Sequence, residues 1–323
     1  MPVSTASPQE TSYGRPLTLV AAAIVFLWFS VGQSEATSVA TSVPFIFVDN
    51  RMMIQCKIDG AGPFSMVIDT GSPDVVIDPI VAKLVGAHVR NNGTVSGAGN
   101  KPVHIGATQL DMLSIGSQSF SRVDASVLDL SEIRVKLGFP RLDGIIGYSI
   151  MKHYAVVVDV DSNTIVFRTT PPTVPPSAST TSFTGVIPVV PATIDGIPTT
   201  VIIDSGDRSS LTLFGPFAKT HGLYDRYPAQ SNIVTGYGLG GPVYADVFTV
   251  PSLNLFGRQL HALVTRASRQ TGGVFTGSQQ GGSVGEGVLK KFDIVYDYPR
   301  KRIIAWPNKY FATPDRFVPP PKS

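Results

Sequence analysis

Short apolar runs, broken by glycine, proline and small polar residues, fill the chain, and they come in two matching sets. Val67-Ile68 leads into Asp69-Thr70-Gly71-Ser72, and Ile202-Ile203 leads into Asp204-Ser205-Gly206-Asp207. Each reads as a buried strand that ends in a tight turn with a carboxylate at its tip, the glycine allowing the turn. Upstream, Ile58-Asp59-Gly60 and Ile194-Asp195-Gly196 predict hairpin turns feeding those strands. Downstream, 82–86 answers to 218–222, and 95–99 to 234–238, each of the latter followed by Pro-Val at 102–103 and 242–243. Gly147 leads to Tyr154, Asp159 and Ile165 at intervals of 7, 5 and 6, and Gly285 leads to Phe292, Asp297 and Ile303 at the same intervals. The two acids are 135 positions apart (204 − 69), too long a period for a solenoid, so the pattern is a duplicated domain.

Within the first copy the pattern predicts strands at 44–48, 52–58, 64–68 and 75–77. Asp78-Pro79 opens a short helix, with Asp as N-cap and Pro in the first turn, and Gly86 ends it. A meander of strands follows over 93–129, then a helix over 131–137 stopped by Gly138, an apolar strand at 144–147, and a hairpin of 154–160 with 164–167. The second copy repeats this order, its helix opened by Gly215-Pro216. The predicted organisation is an all-β protein of two homologous β-barrel lobes with short helices and a cleft between them. The lobes run over 43–169 and 185–310. Between them 170–184, rich in Pro, Ser and Thr, predicts an extended linker that adds nothing to a core, and the Pro-rich tail 311–323 is expected to be loose or laid along the surface.

Composition narrows the function classes. Charged residues are 15% of the chain against about 25% in ordinary soluble domains, and the 31 Gly and 26 Pro suit a turn-rich β protein. A net charge of +3 argues against a nucleic-acid partner, and Arg300-Lys301-Arg302 reads as the polar turn of a hairpin between apolar runs. Cys56 is the single cysteine, which excludes an internal disulfide and a cysteine-based metal site; its alternating segment predicts a buried thiol. The five histidines have no metal-ligand spacing, and neither HExxH nor GxSxG occurs, so no metal and no cofactor is expected. Leu17 to Val31 is a run of 15 uncharged residues, short for a membrane span, and Ser34-Glu35-Ala36 offers small residues for cleavage. This predicts a signal peptide over 1–36 and an exported, periplasmic or extracellular product. The competing reading is a signal anchor, the one case in which a membrane is a partner.

Taken together, the paired motifs resemble the two-lobed, pepsin-like aspartic proteases, each lobe being similar to the retroviral-type subunit and its bacterial relatives. The resemblance covers roughly 42–310. It rests on the two Asp-(Thr/Ser)-Gly turns and on the later Ile145-Ile146-Gly147 and Ser283-Val284-Gly285. It implies that Asp69 and Asp204 are the catalytic pair, sharing one proton and activating a water that attacks a peptide or protein substrate. One chain supplies both acids, so a monomer is implied. Thr70, Gly71, Ser72, Ser205, Gly206 and Asp207 would support the pair, with Thr70 and Ser205 cross-linking the two loops and each later glycine leaving room for backbone contact. Gly97-Ala98-Gly99 and Gly236-Tyr237-Gly238 are candidate flap tips, either both or one acting as a lid; the tyrosine is in the second lobe, whereas pepsin-like enzymes carry theirs in the first.

The position after the glycine breaks the symmetry. Ser72 is expected to donate to Asp69 and favour its charge, making Asp69 the base and Asp204 the proton carrier. At the other loop Ser209 or Ser210 would replace the missing donor, or Asp207 would turn away to pair with Arg208. Two other readings remain at this level: a two-lobed peptide-binding protein that has lost hydrolysis, and a membrane-anchored structural β-barrel that leaves the paired acids unexplained.

Overall fold

The computed structural model describes residues 40–320. The predicted signal segment, 1–36, and the last three residues of the tail lie outside the described residues. Three sheets organise the chain. In the first lobe an eight-stranded sheet runs in the order Ile46–Val48, Arg51–Ile58, Ala61–Ile68, Gly144–Ile146, Val75–Ile77, Gln118–Val127, Val103–Ile115 and Arg90–Val95. Arg51–Ile58 also pairs with Val103–Ile115, which closes the sheet into a barrel. In the second lobe seven strands repeat the plan: Val189–Ile194, Ile197–Ile203, Gly282–Val284, Leu211–Leu213, Arg258–Ser268, Gly241–Leu255 and Gln230–Gly238, closed by pairing of the first with Gly241–Leu255.

The hairpin turns fall where Asp-Gly pairs stand. Asp59 and Gly60 both take positive φ (50° and 80°), as do Asp195 and Gly196 (47° and 78°), the backbone that a tight two-residue β-turn requires. Asp78 caps the first helix by accepting from the Ile80 amide at 2.9 Å, with Pro79 in the first turn. Cys56 is buried among apolar side chains, and burial pushes its thiol up to about 12, so it stays protonated and inert. At the last hairpin Arg300 and Arg302 both bond the buried Asp297 across a turn centred on Lys301.

The third sheet belongs to both lobes. Its six strands run Ala40–Pro44, Thr164–Arg168, Ala155–Asp159, Phe292–Asp297, Arg302–Pro307 and Ser179–Ser182. Val156 sits opposite Tyr296 and Val158 opposite Ile294, so the two halves are hydrogen-bonded to each other through equivalent strands. One apolar cluster extends from Ile58 and Leu113 through Val156 and Tyr296 to Leu253 and Leu263, joining both barrels and this sheet in a continuous core.

One expectation is corrected here. The segment 170–184 is not merely a spacer: Ser179–Ser182 forms the edge strand against Arg302–Pro307, and Phe183 is buried. Its Ser-Thr composition lacks an apolar alternation, but an edge strand needs only backbone pairing on one side. Of the two expectations for the tail, the described part follows the second and lies along the second lobe. Asp315 accepts from the Ser210 hydroxyl at 2.7 Å and from the Val264 amide at 2.9 Å, and Phe311 packs on Phe292.

Candidate active site

Each acid is delivered by a strand wedged against the apolar strand that ends in glycine. The Asp69 amide donates to Ile146 O at 3.0 Å and the Asp204 amide to Val284 O at 3.0 Å, prolonging the parallel ladders of Ala61–Ile68 with Gly144–Ile146 and of Ile197–Ile203 with Gly282–Val284. A Cβ at Gly147 would stand 2.5 Å from Ser72 O, and one at Gly285 would stand 2.4 Å from Asp207 O. Only glycine admits this approach, and it fixes the turn after each acid from behind.

The two turns then lock together. The Thr70 hydroxyl donates to Ile203 O at 2.7 Å and accepts from the Ser205 amide at 2.9 Å. Reciprocally, the Ser205 hydroxyl donates to Ile68 O at 2.8 Å and accepts from the Thr70 amide at 3.0 Å. Both residues are fully buried. Asp69 Oδ1 accepts from the Gly71 amide at 2.8 Å, and Asp204 Oδ1 accepts from the Gly206 and Asp207 amides at 2.9 and 3.1 Å. Each carboxyl also rests on the opposite glycine: a Cβ at Gly71 would be 2.6 Å from Asp204 Oδ1, and one at Gly206 would be 2.4 Å from Asp69 Oδ2. The two carboxyl groups are thereby brought within hydrogen-bonding reach of each other.

Burial raises both acids above the usual carboxylate range. Asp204 is raised further, by the charges of Asp69 and then Asp207, while Asp69 is held back by the Gly71 amide, its bond to Asp204 and the charge of Arg51. The arrangement favours one proton shared across the pair.

The surroundings of the pair differ from expectation. The Ser72 hydroxyl donates to Asp74 O, within its own turn, at 3.1 Å and not to Asp69. Asp207 does not pair with Arg208. Its carboxylate receives Arg266 Nη2 at 2.8 and 2.9 Å, together with the Thr212 hydroxyl at 2.9 Å and the Ser209 amide and hydroxyl at 2.9 and 2.8 Å. Burial works against its ionisation, but Arg266 and these donors hold it below the usual range, so it carries a compensated negative charge. Ser209 therefore serves Asp207, Ser210 bonds Asp315, and neither donates to Asp204. Arg208 instead pairs with Asp49 of the first lobe at 2.7 Å.

Asp49 belongs to a cross-lobe set that the sequence did not disclose. Asp49 and Asn50 take positive φ (46° and 61°) in the turn before Arg51, the one local signal present. Arg51 pairs with Asp49 and donates Nε to Gly206 O at 2.6 Å, while Asn50 donates to Arg208 O at 2.6 Å and accepts from Lys290 Nζ at 2.7 Å. This turn clamps the loop after Asp204 from the first lobe.

Both candidate flap tips reach across the pair. The Gly99 amide donates to Leu239 O at 2.8 Å and the Lys101 amide to Gly240 O at 3.2 Å, so the tips bond each other. They also cross. Tyr237 and Leu239 of the second-lobe hairpin pack against the first-lobe cluster that includes Val76, Leu128, Leu130 and Phe139, and Ala98 of the first-lobe tip packs against Phe214, Val243 and Phe275 of the second. Gln270 Nε2 donates to Ala98 O at 2.9 Å and the Val274 amide to Gly97 O at 2.9 Å. Beneath them a cavity of about 330 Å³ is lined by Asp69, Asp204, Gly71, Gly206, both tips, and the side chains of Phe139, Phe275 and Arg266.

Comparison with known proteins agrees with this geometry. Residues 54–150, within the first lobe, match the family model described as aspartyl protease. The solved structure of the aspartic proteinase from Irpex lacteus superposes with a TM-score of 0.57 at 14% identity, covering 86% of this chain and 100% of that one; at that identity the likeness concerns the fold. No curated protein sequence matches the chain. The family match covers the first lobe, and the structural likeness gives the chain as a whole the fold of an aspartic proteinase.

Proposed function

We propose that the chain is an aspartic endopeptidase in which Asp69 and Asp204 hold a water between them. Asp69, ionised, takes a proton from that water as it attacks the scissile carbonyl. Asp204, protonated, donates a hydrogen bond to the carbonyl oxygen and stabilises the charge that develops there. The observation that carries the reading is reciprocal: each carboxyl lies on the glycine of the other loop, and the loops are cross-bonded by Thr70 and Ser205. A protein that only bound peptides has no use for two acids held in this way. The inactive reading drew on Asp207, and its charge is matched by Arg266.

The flap tips supply the lid, and the substrate lies extended beneath them. The enzyme works as a monomer on peptide or unfolded protein substrates, without a metal or cofactor, and is exported through the apolar segment 17–31. The test is incubation of purified wild type, Asp69→Asn and Asp204→Asn with a mixed peptide library, read by mass spectrometry. Wild type cleaves and each single variant loses cleavage by at least about a hundredfold. Cleavage by both variants at the wild-type rate, or a folded wild type that binds peptides and leaves them intact, defeats the proposal.

A further inference from the structure

The backbone of the cleft is nearly symmetric, but its charge is not. In the first lobe the parallel pairing of Val75–Ile77 with Gln118–Val127 sets Ser126 opposite Val76. In the second lobe the equivalent pairing of Leu211–Leu213 with Arg258–Ser268 sets Arg266 opposite Thr212. Ser72 and Asp207 follow the two catalytic turns. The trio Ser72, Val76, Ser126 in one lobe thus corresponds to Asp207, Thr212, Arg266 in the other. The first trio adjoins an apolar wall that includes Leu128, Leu130, Phe139 and Leu142. The second adjoins Val243 and Phe275, which line the dyad cavity together with the Arg266 guanidinium.

Arg266 is not fully used by its neighbours. Its side chain is only 8% exposed. Nε donates to Thr212 Oγ1 at 2.6 Å, Nη2 is taken by Asp207, and the guanidinium lies 5.5 Å from the centre of the Phe275 ring. Nη1 has no hydrogen-bond partner among the described residues. It lies beside Gly236, where a Cβ would come within 3.6 Å, and both residues line the dyad cavity. Around this corner Arg51, Arg208 and Arg266 face two carboxylates, Asp49 and Asp207. Asp207 is matched by Arg266 and Asp49 is shared by Arg51 and Arg208, so this corner of the cleft carries a surplus positive charge beside the dyad.

We propose that Arg266 determines specificity: the substrates are peptides that set a bulky apolar side chain on the first-lobe wall and an acidic side chain, Asp or Glu, against Arg266 Nη1 on the other side of the scissile bond. The inference rests on the protease reading above and names its substrate class. A guanidinium nitrogen without a protein partner among the described residues, on a side chain that lines the dyad cavity, gives an acceptor a charge-assisted hydrogen bond that neither leucine nor lysine can make.

The test uses internally quenched peptides with Phe on one flank of the cleaved bond and Glu, Gln, Leu or Lys on the other, in both orientations. The measurement is made near pH 6, about where a free Glu is ionised. Wild type should cleave the Glu peptide of one orientation with kcat/KM about tenfold or more above the Leu peptide, with Gln between and Lys lowest. Arg266→Gln should bring the Glu-to-Leu ratio close to one. The triple change Asp207→Ser, Thr212→Val, Arg266→Ser copies the first-lobe trio, leaves no buried charge unmatched, and should do the same. A merely structural Arg266 lowers every kcat/KM together and leaves the ratio alone, which overturns the inference. So does a wild type that cleaves the Leu peptides as well as the Glu peptides, a result that leaves the protease reading standing. Failure of folded wild type to cleave any peptide overturns that reading, and this inference with it.

Discussion

Replacing Thr70 with valine keeps the side chain's shape and removes one hydroxyl. In the wild type that hydroxyl satisfies two backbone groups of the other lobe, the Ile203 carbonyl and the Ser205 amide. Ile203, Ser205 and Thr70 are all essentially inaccessible, so water cannot replace the lost partner without opening the loops. Each orphaned buried group costs about 1–3 kcal/mol, giving about 2–6 kcal/mol for the substitution. Against a typical total of about 5–15 kcal/mol this is a large fraction. Ser205→Ala strips the Ile68 carbonyl and the Thr70 amide in the same way and should cost about as much. Urea denaturation followed by fluorescence checks both, with a lowered midpoint and an unchanged slope as the expected signature. A loss below about 1 kcal/mol for either variant would refute the argument that these hydroxyls fasten the two catalytic turns together.

Three further outcomes follow from the site. Gly71→Ala puts a methyl against Asp204 Oδ1 and should lower kcat/KM by about a hundredfold or more by forcing the acids apart, with circular dichroism unchanged. Activity should be bell-shaped in pH, lost when both acids are protonated and again when both are ionised. The raised Asp204 carries the upper limb above the ordinary carboxylate range, and Asp204→Asn removes that limb together with the activity. Glu286 lies buried below the second loop with Oε2 unbonded among the described residues, and burial lifts it to about 8. Its folded value lies above its unfolded value, so its contribution is complete below the unfolded value and drains away as pH rises toward about 8. Wild type should therefore lose about 3 kcal/mol between about pH 4.5 and pH 7 through this group, and Glu286→Gln should abolish that slope in urea titrations.

The acids and their turns were legible because each signal is local: two apolar residues, an acid, a small hydroxyl and a glycine, in order and repeated. The duplication made the all-β, two-barrel reading secure, since equal intervals after Gly147 and Gly285 imply equal strands. What stayed hidden depends on register and on contacts far along the chain. Arg266 meets Asp207 only because Arg258–Ser268 lies parallel to Leu211–Leu213 with Arg266 opposite Thr212, and no local pattern states that offset. The clamp from Asp49 to Arg208 spans 159 positions for the same reason. Ser179–Ser182 escaped notice because an edge strand of serine and threonine carries no apolar period. The Ser72 hydroxyl goes to the Asp74 carbonyl, a choice of acceptor within one turn that the order of residues does not state.

The antiparallel seam of Ala155–Asp159 with Phe292–Asp297 has a consequence for how the molecule is joined. The halves are stitched by backbone bonds between equivalent strands, so the peptide tether through the prolines chiefly raises the concentration of one half around the other. A break introduced within that tether, ahead of Ser179, would leave the stitching intact, and two separately made pieces retain every surface they need to reassemble into one working cleft.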